Sequence, residues 1–137
     1  MIANSEFDGD CMIKRYLLIT AMSGFFAVAL GAFGAHGLKR ALSADLMAVY
    51  QTGVQYHFYH TFGLFCVVLL MLQMPQSVAL RWSALLFVIG IIVFSGSLYV
   101  LAITGVRWLG AITPLGGVAF LIGWILLAVA AWNWKIA

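Results

Sequence analysis

Three histidines hold most of the chemical potential of this chain. His57 and His60 stand three residues apart in QYHFYHT, and His36 closes GAFGAH. Imidazole can ligate a metal, move a proton or hydrogen-bond a ligand near neutral pH. On a helix His57 and His60 share a face, with Tyr56 one turn before His60. Zinc would accept imidazole nitrogens, but the spacing is no recognised ligand pair and the one carboxylate nearby is Asp45, so no metal site is expected. Haem would need histidines on facing helices inside a bundle, whereas these stand at the ends of apolar runs. What remains is a polar cluster of His36, Tyr56, His60 and Arg107, hydrogen-bonded to helix ends or headgroups. The alternative is a headgroup, quinone or other small-ligand site using His60 and Arg107.

Other catalytic signatures do not occur. The chain has no Walker loop, no G-x-S-x-G, no dinucleotide G-x-G-x-x-G and no H-E-x-x-H. The glycines of GAFGAHG follow an apolar run, not a strand, so they form no phosphate loop. Cys11 and Cys66 lie in a polar head and an apolar run, in no metal spacing, and a disulfide between them is not expected. The reading is therefore non-enzymatic, with no catalytic residue and no cofactor.

The elements that must position these residues are set by composition. Of the 137 residues, 65% are hydrophobic and 8% charged. A soluble domain carries about 25% charged residues, and so few charges cannot cover a water-facing surface. The net charge of +3 is scattered along the chain and makes no basic patch, which argues against nucleic acid. Tyr16–Ala35 has no charge and is flanked by Lys14-Arg15 and by His36, Lys39 and Arg40. As a helix it would rise roughly 30 Å, the thickness of a bilayer's hydrocarbon core. Comparable runs cover about 56–74, 82–103 and 114–132. Trp82, Trp108, Trp132 and Trp134 fall near their ends, as interfacial tryptophans do. No Asp, Glu, Lys or Arg falls within any run, which argues against a proton or ion relay of the kind small antiporters build on a buried glutamate.

The expected fold is all-α, an integral membrane four-helix bundle. Residues 1–13 form a short polar, acidic tail, disordered or on the surface, and 14–137 a single four-span domain. Met12 is a candidate start. A cleaved signal peptide ending near Ala27-Val28-Ala29 is disfavoured, because the run outlasts a usual h-region. Between spans one and two, Ser43 and Asp45 open a short amphipathic helix in the interface, free to run on into the next span. Gly37 suits a C-terminal cap, and Thr113-Pro114 a cap and first helical residue. Ser23, Ala27, Gly31 and Ala35, four apart, form a small-residue stripe for close helix packing. Lys14, Arg15, Arg81 and Lys135 face three bases on the other side, a slight bias toward cytoplasmic termini.

GAFGAHGLKR, QTGVQYHFYHT, FSGSLYVLAITG and TPLGGVAFLIGW, in this order and spacing, resemble the YgdD/YwdK family of small bacterial membrane proteins of unknown function. The resemblance covers about 15–134. It implies a four-span inner-membrane protein with no assigned activity. His36 matches the family's GAFGAH histidine, and Tyr56 and His60 match a Tyr-x-x-x-His pattern. His57 has no fixed counterpart, and the head up to Cys11 departs from the family's start.

The expected role is an accessory or structural subunit of the bacterial inner membrane. Its partners would be the lipid bilayer and either its own copies or a larger membrane complex. The alternative is a small transporter or ligand-binding protein with its site at His36, His60 and Arg107. In either case His36 and His60 should sit at one depth in a shared cluster, with Tyr56, that pins the connecting helix. His57 should lie nearer water and matter less.

Overall fold

The computed structural model describes residues 2–134; Lys135 of the terminal flank lies outside them. The first helix, α1 (Ile2–Phe33), ends in a π-helical turn (Gly34–Leu38). Helix α2 spans Ala44–Gln73. Helix α3 (Val78–Gly90) passes through a second π turn (Ile91–Ser95) into α4 (Gly96–Thr104). A short 3-10 turn (Arg107–Ala111) leads to α5 (Thr113–Trp132). Four stretches are long and apolar enough to cross a bilayer: Gly9–Leu38, Ala44–Gln73, Val78–Thr104 and Arg107–Trp132. The fold is the all-α, four-span one that the apolar runs predict.

Local chemistry sets the ends. Ser43 caps α2 by accepting from the Leu46 amide, and Ser77 caps α3 by accepting from the Leu80 amide, both at 3.4 Å. Gly105 ends α4 at φ 72°, a left-handed conformation that costs glycine nothing. Pro114 opens α5. Thr113, expected as the cap, is instead the first residue of α5, and its hydroxyl turns to Ser97 at 2.8 Å. Gly37, expected to cap α1, lies inside the π turn under the ring of Phe33.

Two boundaries differ from the expectation. The acidic head is helical from Ile2, because once a long apolar helix exists each added residue needs no new nucleus. The amphipathic segment after Ser43 is no separate element. It forms the first turns of α2, which continues unbroken to Gln73; no proline interrupts it before Pro75.

Helix α2 is the axis of the bundle. It packs on α1, α3, the second π turn and α4, while α3 and α5 form the most extensive pair. Span one leans chiefly on α2, and between its buried ends at Gly9 and Leu38 the buried positions recur every seven residues: Ile13, Thr20, Ala27 and Gly34. Ser23, Ala27 and Gly31 of the expected stripe do lie toward α2, with an added Cβ on Gly31 meeting Val54 at 3.4 Å. Ala35 is exposed. Each four-residue step overshoots a full turn by about 40°, so three steps carry Ala35 roughly 120° off the seam. Gly34 takes its place: the ring of Tyr50 occupies the space a Cβ would need, and the Tyr50 hydroxyl donates to the Leu30 carbonyl at 2.8 Å.

Candidate functional site

The run-on of α2 relocates the histidines. In a 30-residue helix from Ala44 to Gln73, His57 and His60 lie within roughly 5 Å of the midpoint along the axis. They sit at mid-height of the bundle, not at its rim, and both are buried, at 5% and 6% exposure. The other spans reach the same level near Ser23, Phe87 to Ile91 and Phe120, so a belt of polar and aromatic contacts crosses the bundle at its middle.

His57 is the hub of one half of the belt. Its Nε2 lies 3.0 Å from the Ser23 hydroxyl on α1, and its Nδ1 3.1 Å from the Tyr99 hydroxyl on α4. Ser23 continues to the Thr61 hydroxyl at 2.6 Å. Four side chains from three helices thus form one chain, Tyr99–His57–Ser23–Thr61. The spacing of His57 and Thr61 on α2 lets both meet Ser23. In lipid such groups find no water, so hydrogen bonds between helices are their means of satisfaction.

His60 is the hub of the other half. Its Nδ1 lies 2.8 Å from the Tyr56 carbonyl, and its Nε2 accepts from the Trp124 indole at 3.2 Å. That donation fixes Nδ1 as the protonated nitrogen of a neutral ring. The imidazole stacks on Phe120, with centroids 3.3 Å apart and planes 8° apart, and the edge of Phe87 closes the other side. Glycines make room. The Cβ positions of Gly90 and Gly123 are filled by the rings of Phe120 and Phe87, and that of Gly116 by the backbone of Phe94. Ser83 donates to the Gly123 carbonyl at 2.8 Å. Ser95, fully buried in the π turn, has no partner for its hydroxyl.

Between α1, α2 and the third span a cleft of about 390 Å³ opens. Its walls are apolar, including Ile19, Phe26, Leu64, Val88 and Ile92, and its polar lining is Ser23, His57 and Tyr99. Phe26 and Ile92 at its rim are exposed, so the mouth faces lipid.

The expected cluster is not brought together. His36 is exposed and its Nδ1 lies 3.0 Å from the Ala32 carbonyl of its own helix. It lies about four turns, roughly 20 Å, beyond Ser23 along the helix axis, whereas His60 is one turn from the partners of Ser23. Arg107 is exposed at the turn after α4, about two turns beyond Tyr99. Tyr56 keeps its place beside His60, accepting from it through the backbone carbonyl, while its side chain stacks on Phe94 at 4.5 Å and on His60 at 5.9 Å. His57 is the corrected case: it is deep in the bundle, with two cross-helix partners, and not nearer water. Asp45 remains in the first turn of α2, exposed. Among the described residues no three His, Cys, Asp or Glu side chains gather as metal ligands. Sequence reasoning passed over Tyr99, Thr61, Trp124 and Phe120. The signal that could have found them is the unbroken run from the Ser43 cap to Pro75, which centres α2 on the histidines.

The family described as "Protein of unknown function (DUF423)" matches residues 30–117, from the end of span one to the start of α5. The chain belongs to this family. Its histidine pair, Thr61 and Tyr99 all fall inside the match. The UPF0382 membrane protein YwdK of Bacillus subtilis is 47% identical over 119 residues, covering 87% of this chain and 97% of that one. The UPF0382 inner membrane protein YgdD of Escherichia coli is 44% identical over 121 residues, covering 88% and 92%. A UPF0382 membrane protein of Haemophilus influenzae is 45% identical over 124 residues, covering 90% and 98%. No solved structure matches the chain. With four apolar spans and relatives named membrane proteins over nearly their whole lengths, the chain is a membrane protein.

Proposed function

We propose that this DUF423 protein is a non-enzymatic, multi-pass protein of the bacterial inner membrane that serves as an accessory or structural subunit, assembled with its own copies or within a larger membrane complex. The observation that supports this reading is the commitment of the mid-bundle polar side chains. Ser23, His57, Thr61 and Tyr99 hold three helices together, His60 ties α2 to α5, and Ser97 ties α4 to α5. Groups so engaged fix helix register and orientation. The inner-membrane location draws on the printed name of the Escherichia coli relative. Native mass spectrometry from mild detergent tests the role: a co-purifying chain or a defined oligomer is expected, and a bare monomer would overturn it.

A second reading, a small-ligand protein, is favoured by one specific observation. The cleft beside His57 is of ligand size, apolar, and has a few convergent polar groups, the usual make-up of a small-molecule site. Its place is the His57 cleft, since His36 and Arg107 lie apart from His60.

A further inference from the structure

We infer that the cleft between α1, α2 and the third span binds an uncharged, largely apolar molecule bearing a hydrogen-bond acceptor such as a ketone carbonyl, and that the Tyr99 hydroxyl is the group that recognises it. This rests on the ligand-binding reading and adds to it the chemistry of the ligand.

The chain Tyr99–His57–Ser23–Thr61 contains three hydroxyl protons and one N–H on a neutral imidazole, four in all. Its three contacts, at 3.1, 3.0 and 2.6 Å, each use one. His57 has two contacts and one proton, so it donates in one and accepts in the other. If the imidazole proton is on Nε2, His57 donates to Ser23, Tyr99 donates to Nδ1, and either hydroxyl donates in the Ser23–Thr61 contact. The unused proton is then on whichever of Ser23 and Thr61 does not donate there. If it is on Nδ1, His57 donates to Tyr99, Thr61 donates to Ser23, and Ser23 donates to Nε2. The unused proton is then on Tyr99. Both arrangements hold the same four protons, so exchanging them neither gains nor loses one.

The two ends open on different surroundings. Thr61 lines a shallow groove with Thr20, Phe62 and Phe65, and Tyr99 lines the cleft. A helical serine or threonine can turn its proton back to a carbonyl of its own helix. A tyrosine hydroxyl, at the far end of a ring, has no such recourse, and in a lipid-facing cleft an unaccepted O–H is costly. The empty cleft therefore favours the Nε2–H form. An acceptor placed in the cleft favours the Nδ1–H form, because it takes up the Tyr99 proton. The lining has no charged residue, so the ligand is uncharged. The cleft's polar end lies at mid-height of the spans, the level at which a phospholipid places acyl chains and not its ester carbonyls, so the acceptor belongs to a molecule that dissolves in the bilayer interior.

Benzophenone is a suitable probe, since it is an apolar ketone and also a photo-crosslinker. With the full chain in proteoliposomes, illumination should place label on cleft residues such as Leu64, Val88 and Ile92. Diphenylmethane, the same shape without the carbonyl, should compete poorly. Tyr99→Phe should lower cleft labelling about fivefold, the worth of one hydrogen bond. The unmutated protein gives an independent readout: nitrogen-15 spectra of His57 should move from the Nε2–H to the Nδ1–H tautomer as benzophenone is added. Label spread over the lipid-facing surface without preference would overturn the site and the ligand reading together. Cleft labelling that is equal in Tyr99→Phe, with the His57 tautomer unmoved, would overturn recognition by Tyr99 and leave the ligand reading standing.

Discussion

The contact between His57 and Tyr99 can be weighed by a double-mutant cycle. His57→Ala removes the ring that touches Ser23 at 3.0 Å and Tyr99 at 3.1 Å. Ser23 keeps Thr61 as a partner, but Tyr99 loses the hydrogen-bond partner its hydroxyl has here. Side-chain hydrogen bonds between membrane helices are worth about 0.6 kcal/mol on average and rarely exceed about 1.7. Two such bonds, with the stranded Tyr99 hydroxyl and the space left by the ring, put the loss for His57→Ala at roughly 2–4 kcal/mol. Tyr99→Phe alone severs one bond and should cost about 1 kcal/mol. Once His57 is absent, Tyr99→Phe removes an unpaired polar group and should be nearly neutral or stabilising, which gives a coupling of roughly 1 kcal/mol. Reversible unfolding in detergent, followed by tryptophan fluorescence or by steric trapping, measures all four corners. Strict additivity of the two substitutions, or a loss at His57 no larger than that at an exposed site, would refute the belt as the element that joins α1 and α4 to α2.

Other outcomes follow from the same geometry. His60→Ala should lower stability by roughly 1–3 kcal/mol, because it strands the Trp124 indole, and unfolding in detergent checks it. His36→Ala should fall within about 0.5 kcal/mol of the parent in the same assay, as surface substitutions do, since that ring is exposed and hydrogen-bonds to a carbonyl of its own helix. Gly116→Ala forces a methyl onto the backbone of Phe94 and should cost about 1–3 kcal/mol. Gly117→Ala, next to it, meets the Phe94 ring at an ordinary 3.8 Å and should be neutral or mildly stabilising, so equal damage from the two would contradict the packing of α5 on the third span. Carbonate washing should leave the protein in the membrane fraction.

The fold was legible because bilayer insertion is read from local composition. Four uncharged runs with tryptophans at their ends need no knowledge of tertiary contacts, and Ser43, Pro75 and Pro114 mark helix ends by chemistry visible in the residues themselves. The small-residue stripe was legible in part. Ser23, Ala27 and Gly31 were found, but a four-residue period drifts around the helix while the seam with α2 follows a period nearer 3.5, so Gly34 was passed over in favour of Ala35. Of the two readings of the acidic head, disordered or surface, the helix from Ile2 excludes the first: polar composition argues against burial, not against continuation of a helix already formed.

The site was less legible, and the reason is one of depth. Gln51, Thr52 and Gln55 look like an interfacial turn, which places the following histidines at the rim. In the structure Thr52 and Gln55 are simply outer turns of a long helix, with Thr52 donating to its own backbone at 3.0 Å. Shifting the start of α2 back to Ala44 moves His57 and His60 about three turns into the bundle, and that one shift changes every partner they can have. At the rim an imidazole can be satisfied by water or headgroups, so its neighbours are weakly constrained. Deep in the bundle it must find donors and acceptors within the protein. Ser23 on α1, Tyr99 on α4 and Trp124 on α5 are polar side chains at that level, and each reaches a histidine nitrogen. The same requirement explains why Trp124 stands far from the interfacial position usual for tryptophan: its indole N–H needs an acceptor inside the bundle, and His60 Nε2 supplies it at 3.2 Å. A ring N–H can turn to a carbonyl of its own helix, as His60 does, but an unprotonated ring nitrogen finds no free backbone N–H there, so a histidine pair at the centre of a long apolar helix implies, before any coordinates, that neighbouring spans bring side-chain donors to the same depth.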